Sequence, residues 1–523
     1  MSRDKVVVIG AGVGGLAAAL ELVSAGADVT VLERHSGPGG KMRTLPSGAG
    51  PVDAGPTVFT MRPVFEELFD AAGTSLEAEL TLSPCDVLAR HHWRGAPVLD
   101  LMADQAASVA NVEAFAGAAE AQRFKAFTDR ANLLFNAFEG PVMRSAAPSL
   151  LSVTRAVMAD ALTLTKAMAP LSTLWQALGR AFEDHRLRQL FGRYATYVGG
   201  SPLLSPALLM LIWASEQRGV WHLKGGMHSL AQALARLIEA KGGQISYDTP
   251  VARIEMHGDR AEAVITGDGT RIAADAILFN GDPSALASGL VEGVPDAAPR
   301  THLTARSLSA WVWTWAAPTS GFELAQHTVF FSDDSPAEFR ELFTDYRRPS
   351  DPTLYICAQD RGDAHATGPE RMQMIMNAPA DGDVHSPSKE EISQCTSTVF
   401  ARLAEAGLIT DPPTARAALT TPDQFSTLFP GTGGALYGAN PHGAMRTFQR
   451  PTARSKVKGL YLCGGGCHPG PGVPMAALSG RHAAAAIISD RALTYRSATT
   501  ATPGGISTGS LTTAPKVSRS SAS

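Results

Sequence analysis

The chain opens with a strand, a glycine turn and a helix in immediate succession, and that order admits few folds. Lys5–Ile9 is rich in Val and Ile, carries no charge after Lys5, and runs straight into Gly10-Ala11-Gly12-Val13-Gly14-Gly15. An Ala/Leu helix is expected to about Ser24. Gly26 ends it, and Asp28–Leu32 forms a second strand closing on Glu33. A GxGxxG set between strand and helix, with an acid after the next strand, is the dinucleotide fingerprint in its required context. Gly10 permits the tight turn, Gly12 lets the backbone approach a pyrophosphate, and Gly15 lets helix and strand pack closely. The helix N-terminus offers free N–H groups and the positive end of its dipole to phosphates. Glu33 stands where a carboxylate accepts hydrogen bonds from an adenosine ribose.

At 523 residues the chain can bury a large core and build more than one domain. The net charge of −4 and the lack of any basic block exclude a nucleic-acid binder. The five cysteines are scattered, and no signal peptide precedes the fingerprint. The expectation is a reducing cytoplasm without a disulfide framework, with Cys463 and Cys467 as small buried residues beside a turn. No metal site is expected. The longest charge-free run of the helical section, Tyr194 to Ser215, is broken by Gly199-Gly200, Pro202 and Pro206, so no membrane-spanning helix is expected.

Beyond Glu33, Gly37-Pro38-Gly39-Gly40-Lys41-Met42-Arg43 is a second glycine turn, and Gly39, Gly40 and Arg43 are placed to extend a pyrophosphate or flavin cradle. Asp53-Ala54-Gly55-Pro56-Thr57 is a short turn suited to approach a ring system. Residues 104–217 read as helical, with small, apolar helices over 149–181 that suit either a buried subdomain or a lid touching lipid or an apolar substrate. From Gly219 the pattern returns to nucleotide-fold character. A helix is expected over Leu230–Ala240, a strand over Gln244–Tyr247, a hairpin from Val251–Met256 and Ala261–Thr266, and an apolar strand over Asp275–Asn280. In 291–414, Ser309, Trp311, Trp313 and Trp315 share one face of a strand, as do Met372, Met374 and Met376. The methionines read as core; the tryptophans read equally as core or as the wall of a long apolar cavity.

The last structured stretch is a strand ending in glycines, a Gly/Pro loop, and a helix from about Val473 to Ser489, with Pro474 in its first turn. A second helix N-terminus this far from the first suits a flavin. Reduction puts negative charge on the flavin ring, and backbone N–H groups over Val473–Met475 would stabilise it. The two ends of the chain should therefore meet around one FAD. The expected fold class is α/β: a Rossmann-type FAD-binding domain assembled from discontinuous segments (1–103, 218–290 and 415–489). A mixed α+β substrate domain (291–414) with a helical lid (104–217) completes it, and 490–523 read as a disordered tail.

GAGVGGLAAA, ERHSGPGGK, DAGPTVFT, GVWHLKGGMHSLAQAL, ADAILFNGDP and GLYLCGGGCHPGPGVPMAALSG, spread over nearly the whole chain, resemble the bacterial phytoene desaturase family of FAD-dependent carotenoid desaturases. DAGPTVFTMR, WHLKGGMHSL and FPGTGGALYG are most similar to its 1-hydroxycarotenoid 3,4-desaturases. The resemblance implies FAD contacts at Gly10, Gly12, Gly15, Glu33, Lys41, Val251, Gly465, Gly472, Val473 and Met475. It further implies a long acyclic carotenoid substrate and peripheral attachment on the cytoplasmic side of the inner, photosynthetic membrane; the electron acceptor stays open between a quinone, oxygen and another carrier. The Asp/Arg pair invoked for proton handling in that family has no clean counterpart, which leaves Asp160, Lys166 and His468 as the ionisable candidates. A carbocation delocalised over a polyene needs no strong base. Phytoene desaturation, amine oxidation, or a non-catalytic isoprenoid carrier on the same scaffold are the alternatives.

Overall fold

The computed structural model describes residues 4–148, 168–169, 172–300, 304–362, 368–413, 418–443 and 446–500. In chain order the elements that position the site begin with β1 (Lys5–Ile9), α1 (Val13–Ser24), β2 (Asp28–Leu32), β3 (Val87–His92), β4 (Leu99–Met102) and α2 (Ala118–Phe138). Next come α3 (Leu211–Gln217), α4 (His228–Ala240), β5 (Gln244–Ser246), β6 (Ala276–Phe279), β7 (Ser309–Ala317), β8 (His327–Phe330), β9 (Leu354–Ala358) and β10 (Glu370–Ala378). The last are α5 (Lys389–Glu405), β11 (Leu419–Thr420), β12 (Leu460–Leu462) and α6 (Val473–Thr500).

Five short apolar strands form a parallel sheet in the order β12-β6-β1-β2-β5. Parallel strands need crossovers and bury both faces, which is why β1 and β6 read as unbroken apolar runs. α1 is buried on nearly every side because α6 packs along it. Leu16, Leu20, Ala477, Leu478 and Ala484 belong to one core cluster. At Gly480 the two backbones are so close that a Cβ there would lie 2.0 Å from the Gly14 carbonyl oxygen. The amino- and carboxy-terminal glycine segments therefore meet, as their patterns predict.

The second sheet has seven strands in the order β11-β7-β10-β9-β8-β3-β4, antiparallel except where β8 meets β3. Its membership moves two expected boundaries. Residues 87–102 and 419–420, assigned from sequence to the nucleotide-binding segments, belong to this sheet instead. Alternating strands look alike in either sheet, and only long-range pairing assigns them. The expected tail from 490 is also corrected, because α6 continues to Thr500. Its extension is held by charge: Asp490 pairs with Arg454 at 2.8 Å, and the Arg491 Nε donates to Asp4 at 3.0 Å. Residues 501–523 lie outside the described residues.

His91 and His327, each 2 % exposed, lie in β3 and β8. Burial, aided by the nearby Arg193 guanidinium, pushes both imidazoles down to about 3. Unfolded, each would titrate near 6.5, so between these values the unfolded chain binds more protons than the folded one. This contribution to stability is complete above pH ~6.5 and is lost as pH falls toward ~3, at about 1.4 kcal/mol per unit per histidine. Unfolding in urea should therefore show about 5 kcal/mol less stability at pH ~4.5 than at pH ~7.5. His327→Gln should roughly halve that difference; a difference unaffected by the substitution would rule out the buried neutral imidazole as its source.

Candidate functional site

One cavity of about 850 Å³ runs from the first glycine turn to the seven-stranded sheet. Gly10, Gly12, Glu33, Gly40 and Lys41 line its nucleotide-fold end, as do Val251, Gly465, Gly472, Val473 and Met475. Segments from both ends of the chain thus converge on one space. The cradle is backbone. α1 has no side-chain cap and no acid in its first turn, so its leading N–H groups have no partner supplied by a cap or an acid. A Cβ on Gly40 would sit 3.2 Å from the Gly12 Cα. Such a concave, uncapped helix start fits a pyrophosphate.

Glu33 is 4 % exposed, and its position is fixed from below. Its Oε2 accepts from the Ala11 N–H at 2.7 Å and its Oε1 from the His35 N–H at 2.9 Å. Lys41 donates to the Leu436 carbonyl at 2.6 Å, with its ammonium 5.3 Å from the Phe429 ring centre, and burial lowers its pKa. Val473 and Met475 carry the N–H groups of the first turn of α6, Pro474 having none, so the positive end of that helix faces the cavity.

Two of the expected residues stand behind the wall. A Cβ on Gly15 would lie 2.2 Å from the Gly10 carbonyl oxygen, so this glycine serves close packing of helix on strand. Arg43 donates to Thr420 Oγ1 at 2.6 Å and lies 5.6 Å from the Phe425 ring centre; burial pushes it down to about 10. The turn after Asp53 does reach the cavity through Gly55, Pro56 and Thr57. Asp53 itself accepts from the Met227 and His228 N–H groups at 2.6 and 3.3 Å, capping the start of α4.

Among the ionisable candidates, Asp160 and Lys166 lie outside the described residues. His468 does not line the cavity; its Nε2 is 3.0 Å from the Val142 carbonyl and 2.9 Å from that of Ser145, so the ring ties the glycine loop to the chain after α2. Cys463 and Cys467 are free and buried, and burial drives both thiols upward.

Sequence reasoning missed two cradle residues. Asn280 follows β6 and donates to the Gly10 carbonyl at 3.1 Å; a Cβ on Gly12 would meet its amide at 2.9 Å. Arg450, 7 % exposed, donates to the carbonyls of Tyr437, Ala439 and Gly465, holding the C-terminal glycine loop in place. Asn-Gly-Asp after an apolar strand was a usable signal for the first. Nothing local marks the second.

The other end of the cavity is apolar. Phe135 and Phe138 of α2, Leu211 and Ile212 of α3, and Val312 and Ile375 of the sheet line it. The tryptophans do not. Trp311, Trp313 and Trp315 face the opposite side, in a core with Met372, Met374, Met376 and Leu403 of α5. Of the two readings open for them, core and cavity wall, the structure takes the core. Alternation places three indoles on one face but does not say which face a helix covers. The intervening Ala310 and Val312 face the cavity, where small side chains leave room.

The profile of the flavin-containing amine oxidoreductase family matches residues 13–488. Hydroxyneurosporene desaturase from Cereibacter sphaeroides is 52% identical over 494 residues, covering 93% of this chain and 98% of that protein. Hydroxyneurosporene desaturase from Rubrivivax gelatinosus is 46% identical, covering 98% of both. Among solved structures, wild-type putrescine oxidase bound to putrescine matches with a TM-score of 0.60 at 16% identity, covering 93% of this chain and 99% of that one; at that identity the likeness concerns the fold. With its two terminal glycine segments closed around one cavity, the chain belongs to the flavin-containing amine oxidoreductases.

Proposed function

We propose that this enzyme is an FAD-dependent desaturase that introduces the C3–C4 double bond into acyclic 1-hydroxycarotenoids such as 1-hydroxyneurosporene. The observation that carries the reading is the single cavity, in which a backbone cradle for a dinucleotide opens directly into an apolar limb. The names of the relatives at 52% and 46% identity agree with it. Gly10, Gly12, Gly40 and Glu33 would hold the adenosine and pyrophosphate. Lys41, Val251 and Gly465 would flank them, with Gly472, Val473 and Met475 at the ring. Gly15 and Arg43 would support that set from behind.

FAD, when bound, supplies the acceptor for the hydride that leaves one carbon, while the neighbouring carbon loses a proton and the electron pair left behind becomes the new π bond. The chain's own contribution is positioning. The apolar limb excludes water and aligns the polyene, and the N-terminus of α6 favours negative charge at its mouth. No described helix is long and apolar enough to cross a membrane. A water-insoluble substrate would be met at a membrane surface, on the cytoplasmic side, with quinone or oxygen as final acceptor.

Anaerobic incubation of FAD-loaded protein with 1-hydroxyneurosporene should bleach the flavin and red-shift the carotenoid. A shift with phytoene alone would end the proposal. Val312→Phe, which fills the cavity from the sheet, should weaken carotenoid binding at least about tenfold at a stability cost of about 1–3 kcal/mol. Trp313→Phe, on the covered face, should cost stability and leave carotenoid binding unchanged. Equal effects of the two on binding would refute the assignment of faces.

A further inference from the structure

Among the described residues, one cation that lines the cavity has only a single long hydrogen bond for its guanidinium. Arg193 begins the 3-10 turn Arg193–Val198 and is half-buried, its open part facing the cavity. Its guanidinium lies 5.4 Å from the ring centre of Tyr197 and 5.8 Å from that of Tyr355. Rings so placed hold the cation and leave N–H donors free at its edge. Its one hydrogen bond among the described residues is 3.5 Å long, to the Tyr197 hydroxyl. The cavity's other enclosed cations bond carbonyls at shorter range, Lys41 one at 2.6 Å and Arg450 three at 2.8–3.3 Å.

The surroundings make this a built polar site. Glu216 of α3, 5 % exposed, lines the same space, accepts from the Tyr194 hydroxyl at 2.6 Å, and favours the charged form of Arg193. Tyr355 is fixed by Thr57 Oγ1 at 2.7 Å and His327 Nδ1 at 2.8 Å. Placing an arginine with spare donors in a cavity that Leu211, Ile212 and Phe135 also line is costly unless a ligand completes it.

We propose that Arg193, framed by Tyr197, Tyr355 and Glu216, is the specificity-determining residue that donates to the C1 hydroxyl of the substrate. This rests on the desaturase reading and sharpens it. The C1 oxygen is separated from C3 by only two carbon–carbon bonds and one carbon–oxygen bond, so its receptor must lie beside the reacting end. The link from Arg193 toward that end runs through its neighbour Tyr355, which is hydrogen-bonded to Thr57 on a turn that lines the same cavity. A guanidinium N–H donates to the hydroxyl oxygen, and Glu216 is placed as an acceptor for the hydroxyl proton. A carotenoid lacking the hydroxyl leaves the spare guanidinium donors of Arg193 unused and adds nothing to the Tyr194 hydroxyl that Glu216 already accepts from, which is how a buried polar site rejects an apolar analogue.

The test compares 1-hydroxyneurosporene with neurosporene on holoenzyme, reading kcat/KM and, independently, binding by quenching of protein fluorescence. The native enzyme should favour the hydroxylated carotenoid by about 10- to 100-fold in both measures. Arg193→Met should erase the preference by lowering the hydroxylated substrate alone, while Arg193→Lys keeps part of it; flavin content per protein verifies that each variant is folded. A preference that survives Arg193→Met, or a loss shared equally by both carotenoids, overturns the proposal. Turnover of neither carotenoid by the native holoenzyme would sink the desaturase reading instead, and the binding comparison would still decide the role of Arg193.

Discussion

Gly480→Ala should give a protein that purifies with most of its flavin missing. The added Cβ would lie 2.0 Å from the Gly14 carbonyl oxygen, 2.9 Å from its carbon and 3.1 Å from the Ala18 nitrogen. All three are backbone atoms of α1, so no side chain can rotate aside, and α1 and α6 must separate. A close-packed interior absorbs such a shift poorly, at a cost of about 1–3 kcal/mol. The displaced helix carries Val473 and Met475, so the cradle opens where the two ends of the chain meet. FAD binding should weaken by about 10- to 100-fold if that cost falls on the bound state. Gly37→Ala, where nothing lies within 4 Å of the added atom, is the control and should keep full flavin absorbance. Full flavin in Gly480→Ala as well would mean that the α1–α6 contact does not shape the cofactor site.

The second large effect is expected at Glu33. In Glu33→Ala the Ala11 and His35 N–H groups lose their acceptor, and the nucleotide would lose the carboxylate proposed for its ribose. Hydrogen bonds to a charged group contribute about 1.5–3 kcal/mol each, so FAD affinity should fall by about 100-fold, and by less in Glu33→Gln, which retains an acceptor oxygen. FMN lacks the adenosine. Titration of apoprotein should therefore show FMN binding unchanged in Glu33→Ala while FAD binding drops. Equal losses for both would assign Glu33 to turn geometry rather than to the ribose.

Glu33 was readable along the chain, whereas the Gly480–Gly14 contact came only with the tertiary structure. β1, α1 and β2 appear where the pattern of Val, Ala, Leu and Gly places them, because the turn, the helix and the close helix–strand approach are all local demands on neighbouring residues. The hairpin Val251–His257 with Arg260–Thr266 is as local, and it too appears where expected. The meeting of the termini was legible because each carries its own strand–glycine–helix signature. Arg450 and the capping role of Asp53 were not. Their partners lie far along the chain, and no spacing rule connects Asp53 to Met227 or Arg450 to Tyr437.

The sharpest division falls on β7. Its alternation showed that three indoles share a face, since side-chain direction in a strand follows from the backbone alone. Which face α5 would cover, and which would open on the cavity, depended on packing between elements more than seventy residues apart. Arg193 illustrates the same limit. Its residue type is plain in the chain, but its sparse hydrogen bonding among the described residues exists only once Tyr197, Tyr355 and α3 have closed around it. Local backbone chemistry thus dictated the cofactor cradle. The substrate limb was decided by tertiary contacts, because burial and unmet hydrogen bonds are properties of the assembled core and not of any single segment.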